Sequence, residues 1–103
     1  MKATRIQYTV QPDFAEKNKQ NIAKVMQELR LLNHPGLRYS AYVLDDGKTF
    51  MHFVVFRDEE ATRVIPNLES FKYFQSELMA SSPEIPPRFE NLAFVGSSYD
   101  FFG

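Results

Sequence analysis

The run TFMHFVVF, Thr49 to Phe56, sets a single imidazole, His52, inside the most apolar stretch of the chain. Two readings of that placement stand side by side. A strand histidine can be a core residue whose ring nitrogens are satisfied by a hydroxyl, a carbonyl or water. It can also be the working group of a pocket, where a neutral imidazole near its ordinary pKa suits proton abstraction. Two amides join it as candidates. Asn18 lies four residues before Ile22 and Asn21 four before Val25, so both share the apolar stripe of one helix. Amides on such a stripe are hydrogen-bonded, face a cavity, or sit near the helix end in water. If they face a cavity, His52 is the candidate base, and Asn18, Asn21 and Tyr39 are candidates to orient a ligand among Phe and Tyr side chains that include Phe74. That constellation suits a small phenolic or anthrone-like substrate.

The remaining chemistry-bearing residues point elsewhere. His34, in NHPG, reads as a helix-terminal residue whose charge complements the helix dipole. The two histidines lack metal-ligand spacing and the DDG triplet reads as a turn, so no metal site is expected. Ser97 and Ser98 in VGSSYD lack the strand-turn-helix setting of a nucleophile elbow. Only four glycines are present, none in a GxGxxG pattern, which argues against a phosphate loop. The absence of cysteine excludes disulfides, thiolate metal ligands and a cysteine nucleophile. A net charge of −1, with both signs interspersed, leaves no basic stripe for nucleic acid. MKATRIQYTV has no apolar stretch suited to a signal peptide or membrane span, and a cytoplasmic protein is expected.

These residues need elements to position them. ATRIQYTVQ alternates, with Ile6, Tyr8 and Val10 on one side and Arg5, Gln7 and Thr9 on the other, as a strand does. Pro12 and Asp13 then open a helix, with Asp13 placed to cap it. Its stripe comprises Phe14, Ile22, Val25, Met26, Leu29 and Leu32. NHPG ends it, Pro35 blocking continuation and Gly36 permitting the turn. LRYSAYVL and KTFMHFVVF are two strands joined through Asp45-Asp46-Gly47-Lys48, and Asp-Gly there predicts a type I′ hairpin turn. If Asp45 pairs with Lys48, then Val43 faces Phe50, Ala41 faces His52 and Tyr39 faces Val54. A slip of one residue would exchange the two faces. RDEEATRVIPNL begins with acidic residues suited to a helix start and is interrupted by Pro66. ESFKYFQSELMA is a second helix with Phe71, Phe74, Leu78 and Met79 on its apolar side. SSPEIPP reads as an extended connector, and RFENLAFVGSSYDFF as a last strand with an aromatic tail.

The order is β-α-β-β-α-β in a chain of 103 residues, read as one domain over residues 1–103. Its natural arrangement is α+β and ferredoxin-like: a four-stranded antiparallel sheet with both helices on one face. The third strand then runs antiparallel beside the first, bringing His52 toward the N-terminal half of the first helix. The opposite sheet face stays uncovered, yet both faces of the third strand are apolar, Phe50, Val54 and Phe56 on one and Met51, Phe53 and Val55 on the other, and either set could be the one that meets the helices. Aromatics reach 15% of the chain, more than a small core readily holds, and a homodimer packed through that sheet face would cover the surplus.

In element order, size, the LDDGKTF hairpin and the ESFKYFQSEL helix, the chain resembles the dimeric α+β barrel superfamily. Within it, the resemblance is to small proteins related to antibiotic biosynthesis monooxygenases, and most to an uncharacterised subgroup. It implies the two-subunit barrel and a pocket for a small aromatic molecule. If the protein is an enzyme, it implies oxygenation by direct reaction of a substrate anion with dioxygen, with no metal, flavin or other cofactor. Haem-degrading relatives need a histidine on a helix, whereas His52 lies on a strand and His34 ends a helix. A non-catalytic ligand-binding or interaction module of the same fold is the alternative.

Overall fold

A computed structural model describes residues 1–103. Six principal elements follow the predicted order: β1 (Lys2–Thr9), α1 (Ala15–Leu32), β2 (Leu37–Val43), β3 (Thr49–Phe56), α2 (Glu69–Ala80) and β4 (Ile85–Leu92). The strands form one antiparallel sheet in the order β2-β3-β1-β4, which is the ferredoxin-like arrangement.

The β2–β3 hairpin carries the register expected from its sequence, with Val43 opposite Phe50, Ala41 opposite His52 and Tyr39 opposite Val54. The turn itself differs from expectation. Only Gly47 takes a positive φ, of 74°, and its N–H bonds to the Leu44 carbonyl at 2.9 Å. That is a type I turn followed by a left-handed glycine, not a type I′ turn. Asp46 is occupied differently: one carboxylate oxygen accepts the Lys48 and Thr49 backbone N–H groups, each at 2.9 Å. Its other oxygen accepts the Thr49 hydroxyl at 2.5 Å. These bonds hold Asp46 in the ordinary backbone region and fix the turn.

Three helix boundaries depart from expectation. A 3-10 turn over Pro12–Phe14 precedes α1, and Asp13 caps nothing, because the chain enters α1 already helical at Phe14. At the other end, Asn33 rather than Gly36 adopts the left-handed conformation, with φ 51°. Asparagine tolerates that region and ends α1 before the proline is reached. Just beyond it, His34 Nδ1 accepts the Gly36 N–H at 3.0 Å and ties the turn together. The acidic segment after β3 forms two 3-10 turns, Glu60–Arg63 and Ile65–Asn67, the first begun by an Asp58 carboxylate that accepts the Ala61 N–H.

The expected connector SSPEIPP is half strand. β4 starts at Ile85, includes Pro86 and Pro87, and ends at Leu92, leaving the remaining aromatic residues outside the sheet. Prolines are tolerated because β4 is an edge strand, where a missing N–H can face away from the ladder.

Both helices cover one face. Tyr8, Val10, Val25, Phe50, Phe74 and Leu78 form a buried cluster between helices and sheet, and Leu37, Val54, Phe56, Ala61 and Ile65 a second one. Leu32 and Met79, expected on the inner stripes, are exposed, each in the last turn of its helix. On β3 the alternation is regular: Phe50, His52, Val54 and Phe56 are buried toward the helices, while Met51, Phe53 and Val55 are half-buried on the opposite face.

Candidate functional site

Strand register decides where His52 points. It lies opposite Ile6 on β1 and Ala41 on β2, on the helix-facing side of the sheet, and is 2% exposed. Two tyrosines on the same side, Tyr8 from β1 and Tyr39 from β2, reach it from opposite flanks. The Tyr8 hydroxyl lies 2.8 Å from Nε2, and the Tyr39 hydroxyl 2.6 Å from Nδ1. Asn18 enters from α1 above, its Nδ2 donating to the Tyr8 hydroxyl at 2.9 Å. A continuous polar chain therefore runs Asn18–Tyr8–His52–Tyr39 across three strands and a helix.

The surroundings of this chain are aromatic. The Tyr8 ring stacks on Phe50 with centroids 5.6 Å apart, and the His52 ring lies 5.7 Å from Phe74. No carboxylate bonds to the histidine, so nothing offsets its desolvation. Burial pulls the His52 pKa down to about 4, well below its ordinary value and unlike the near-normal imidazole expected. The two phenols move the other way, burial raising both Tyr8 and Tyr39 above the usual tyrosine range. At neutral pH the whole chain is uncharged.

Beside it lies a cavity of about 830 Å³, between α2, the 3-10 turns and the sheet. Tyr8, Tyr39 and His52 form part of its wall, and Ile6, Val54 and Phe74 supply apolar surface. Phe89 of β4 and Met79 of α2, 70% and 64% exposed, stand at its open side. A smaller hollow of about 450 Å³ lies between the second half of α1 and β2, and Tyr39 borders both.

Of the residues singled out from sequence, Asn18, His52 and Tyr39 are joined by hydrogen bonds through Tyr8, and Phe74 packs against His52 at the cavity wall. Asn21 is 1% exposed, as its stripe position implies, but makes no hydrogen bond with the others. Neither Asn21 amide atom nor Asn18 Oδ1 has a protein partner, so the head of the chain keeps unspent hydrogen-bonding capacity. Tyr8 is the residue that sequence reasoning missed. Its strand alternation was visible, but its contact with His52 depends on the β1–β3 register, which pairs Ile6 with His52 and carries Tyr8 one step along the same face.

Fold and site together define an α+β protein of ferredoxin-like topology with a pocket between sheet and helices. It has the fold of the antibiotic biosynthesis monooxygenase-like proteins, as similarities to solved structures show. A structure of an antibiotic biosynthesis monooxygenase matches 93% of this chain and all of its own, at TM-score 0.78 and 14% identity. A variant of SnoaB, a cofactor-independent oxygenase from Streptomyces nogalater, matches 96% of this chain and 98% of its own, at TM-score 0.69 and 15% identity. NE2512, a protein of unknown function from Nitrosomonas europaea, matches 96% of this chain and 93% of its own, at TM-score 0.72 and 19% identity. No family model matches the chain, and no curated protein matches it in sequence. No helix is long and apolar enough to cross a membrane.

Proposed function

We propose that this protein binds a small aromatic molecule in the cavity beside His52, as one domain over residues 1–103, and acts on it as a cofactor-independent, monooxygenase-like enzyme. One observation carries this reading: a buried, uncharged hydrogen-bond chain ends at the wall of an otherwise apolar cavity. Buried polar groups normally find their partners within the protein, whereas this chain borders space large enough for a fused-ring ligand. The similarity to a cofactor-independent oxygenase fits the same chemistry. His52 is part of the site by holding Tyr39 and Tyr8. As a base it would reach a substrate only through one of the two tyrosines, because both ring nitrogens are already engaged.

The low basicity of His52 favours a second reading, a non-catalytic binding module built on the same pocket. Oxygen uptake and thermal shift, measured together on a panel of hydroxylated naphthalenes and anthrones, separate the two. Stabilisation with oxygen consumption above the ligand's own autoxidation supports the enzyme, and stabilisation alone supports the module. Neither effect with any ligand would refute both.

The same proposal includes a cytoplasmic homodimer, closed through the uncovered sheet face. Met51, Phe53 and Val55 remain half-buried there, with Tyr42 exposed beside them. Light scattering at micromolar concentration tests it: twice the 12.0 kDa chain mass is expected, and a monomeric mass refutes it.

A further inference from the structure

The direction of the hydrogen bonds says more about the ligand than the shape of the cavity does. Asn18 Nδ2 is a donor only, so the Tyr8 oxygen accepts from it. The Tyr8 proton then has one acceptor within reach, His52 Nε2. A neutral ring that accepts at Nε2 carries its proton at Nδ1, and this N–H donates to the Tyr39 oxygen. Tyr39 has thus accepted a bond, and its hydroxyl has no other partner in the protein to receive its own proton. Each link polarises the next in one sense, from the helix amide toward the cavity wall.

Resting on the proposed pocket, we propose that Tyr39 is the group that meets the ligand, donating its hydroxyl proton to a single oxygen of a flat, otherwise uncharged aromatic molecule. The best acceptor is a phenolate or enolate oxygen, where negative charge strengthens the bond. The cavity lining supports this ligand class. Its only charged residue is Lys72, which is exposed and already paired with Glu69 at 3.3 Å, so no cation waits at the inner wall for a carboxylate or phosphate. Tyr39 remains a hydroxyl throughout, since burial raises its pKa. Asn18, Tyr8 and His52 are positioning residues that keep its proton turned outward.

Two experiments test the assignment. The first needs no ligand: ¹⁵N-detected NMR of the neutral His52 ring is expected to show the Nδ1–H tautomer, and an Nε2–H ring would overturn the directed chain. The second compares 4-nitrophenol, whose ionisation is read by absorbance, with nitrobenzene, which lacks the phenolic oxygen, in wild type and Tyr39→Phe. Tyr39→Phe is expected to weaken binding of the phenolate about tenfold, raise the pKa of bound nitrophenol, and leave nitrobenzene binding within about twofold. Tyr8→Phe is expected to move the bound pKa the same way by less, and no movement would remove Tyr8 from the positioning chain. Equal phenolate binding by wild type and Tyr39→Phe, or equal losses for both ligands, overturns the role of Tyr39 while the pocket stands. Failure of both ligands to bind wild type overturns the pocket itself.

Discussion

Lowering the pH from 7 to 5 should cost this protein stability through His52, and the size of that cost follows from its burial. The ring faces two neutral phenol hydroxyls, from β1 and β2, and the Phe74 ring from α2, with no carboxylate among its hydrogen-bond partners. Its folded pKa is about 4, against about 6.5 for an unfolded histidine. Between those values the unfolded chain binds a proton that the folded chain refuses. Stability from this group is therefore complete above about pH 6.5 and is lost progressively as pH falls toward 4. From pH 7 to 5 the loss comes to about 2 kcal/mol. Urea denaturation of wild type and His52→Gln at both pH values, at one protein concentration, isolates it. His34 and the carboxylates are common to both proteins, so their contributions cancel in the difference. Wild type should lose about 2 kcal/mol more than the variant on acidification. Equal losses, or an NMR titration of His52 near pH 6.5 in the folded protein, would refute the claim that the ring is held neutral by its surroundings.

Other perturbations test separate parts of the structure. Tyr8→Phe leaves Asn18 Nδ2 and His52 Nε2 without their shared partner and should cost about 1–3 kcal/mol in urea denaturation; a change under half that would mean the chain contributes little to folding. Gly47→Ala should cost about 1 kcal/mol from its positive φ alone, because no atom lies within 4 Å of the added Cβ. Gly96→Ala, with equal space and no positive φ, is the control and should be close to neutral. Phe74→Ala removes a buried ring shared by the core and the cavity wall. It should cost about 3 kcal/mol and weaken binding of any aromatic ligand, and a stable variant with unchanged affinity would place the ligand elsewhere. Phe53→Glu, on the opposite sheet face, should leave the subunit folded by circular dichroism but shift light scattering toward the monomer; an unchanged dimer would move the interface off that face.

Local pattern and tertiary structure divided the determination of this protein along a physical line. Elements set by residues near in sequence were legible: the strand alternation of Ile6, Tyr8 and Val10, the α1 stripe that buries Asn18 and Asn21, and the hairpin register that pairs Ala41 with His52. Alternation and helical periodicity are consequences of backbone geometry, so they survive without knowledge of the rest of the chain. Turn chemistry was half legible, because Asp46 and Gly47 announced a turn while the carboxylate's bonds to Lys48 and Thr49 chose its type. Helix ends were set by competition between adjacent formers, and Asn33 acted before Pro35 and Gly36 could. The prolines of β4 concealed a strand whose edge position makes them acceptable. What only the tertiary structure decided was the site. Asn18, Tyr8, His52 and Tyr39 belong to four elements, and a hydrogen bond among them requires the β1–β3 register, the hairpin and the seat of α1 all at once. The low pKa of His52 was decided in the same way, since desolvation depends on every group packed around the ring and not on its neighbours in sequence.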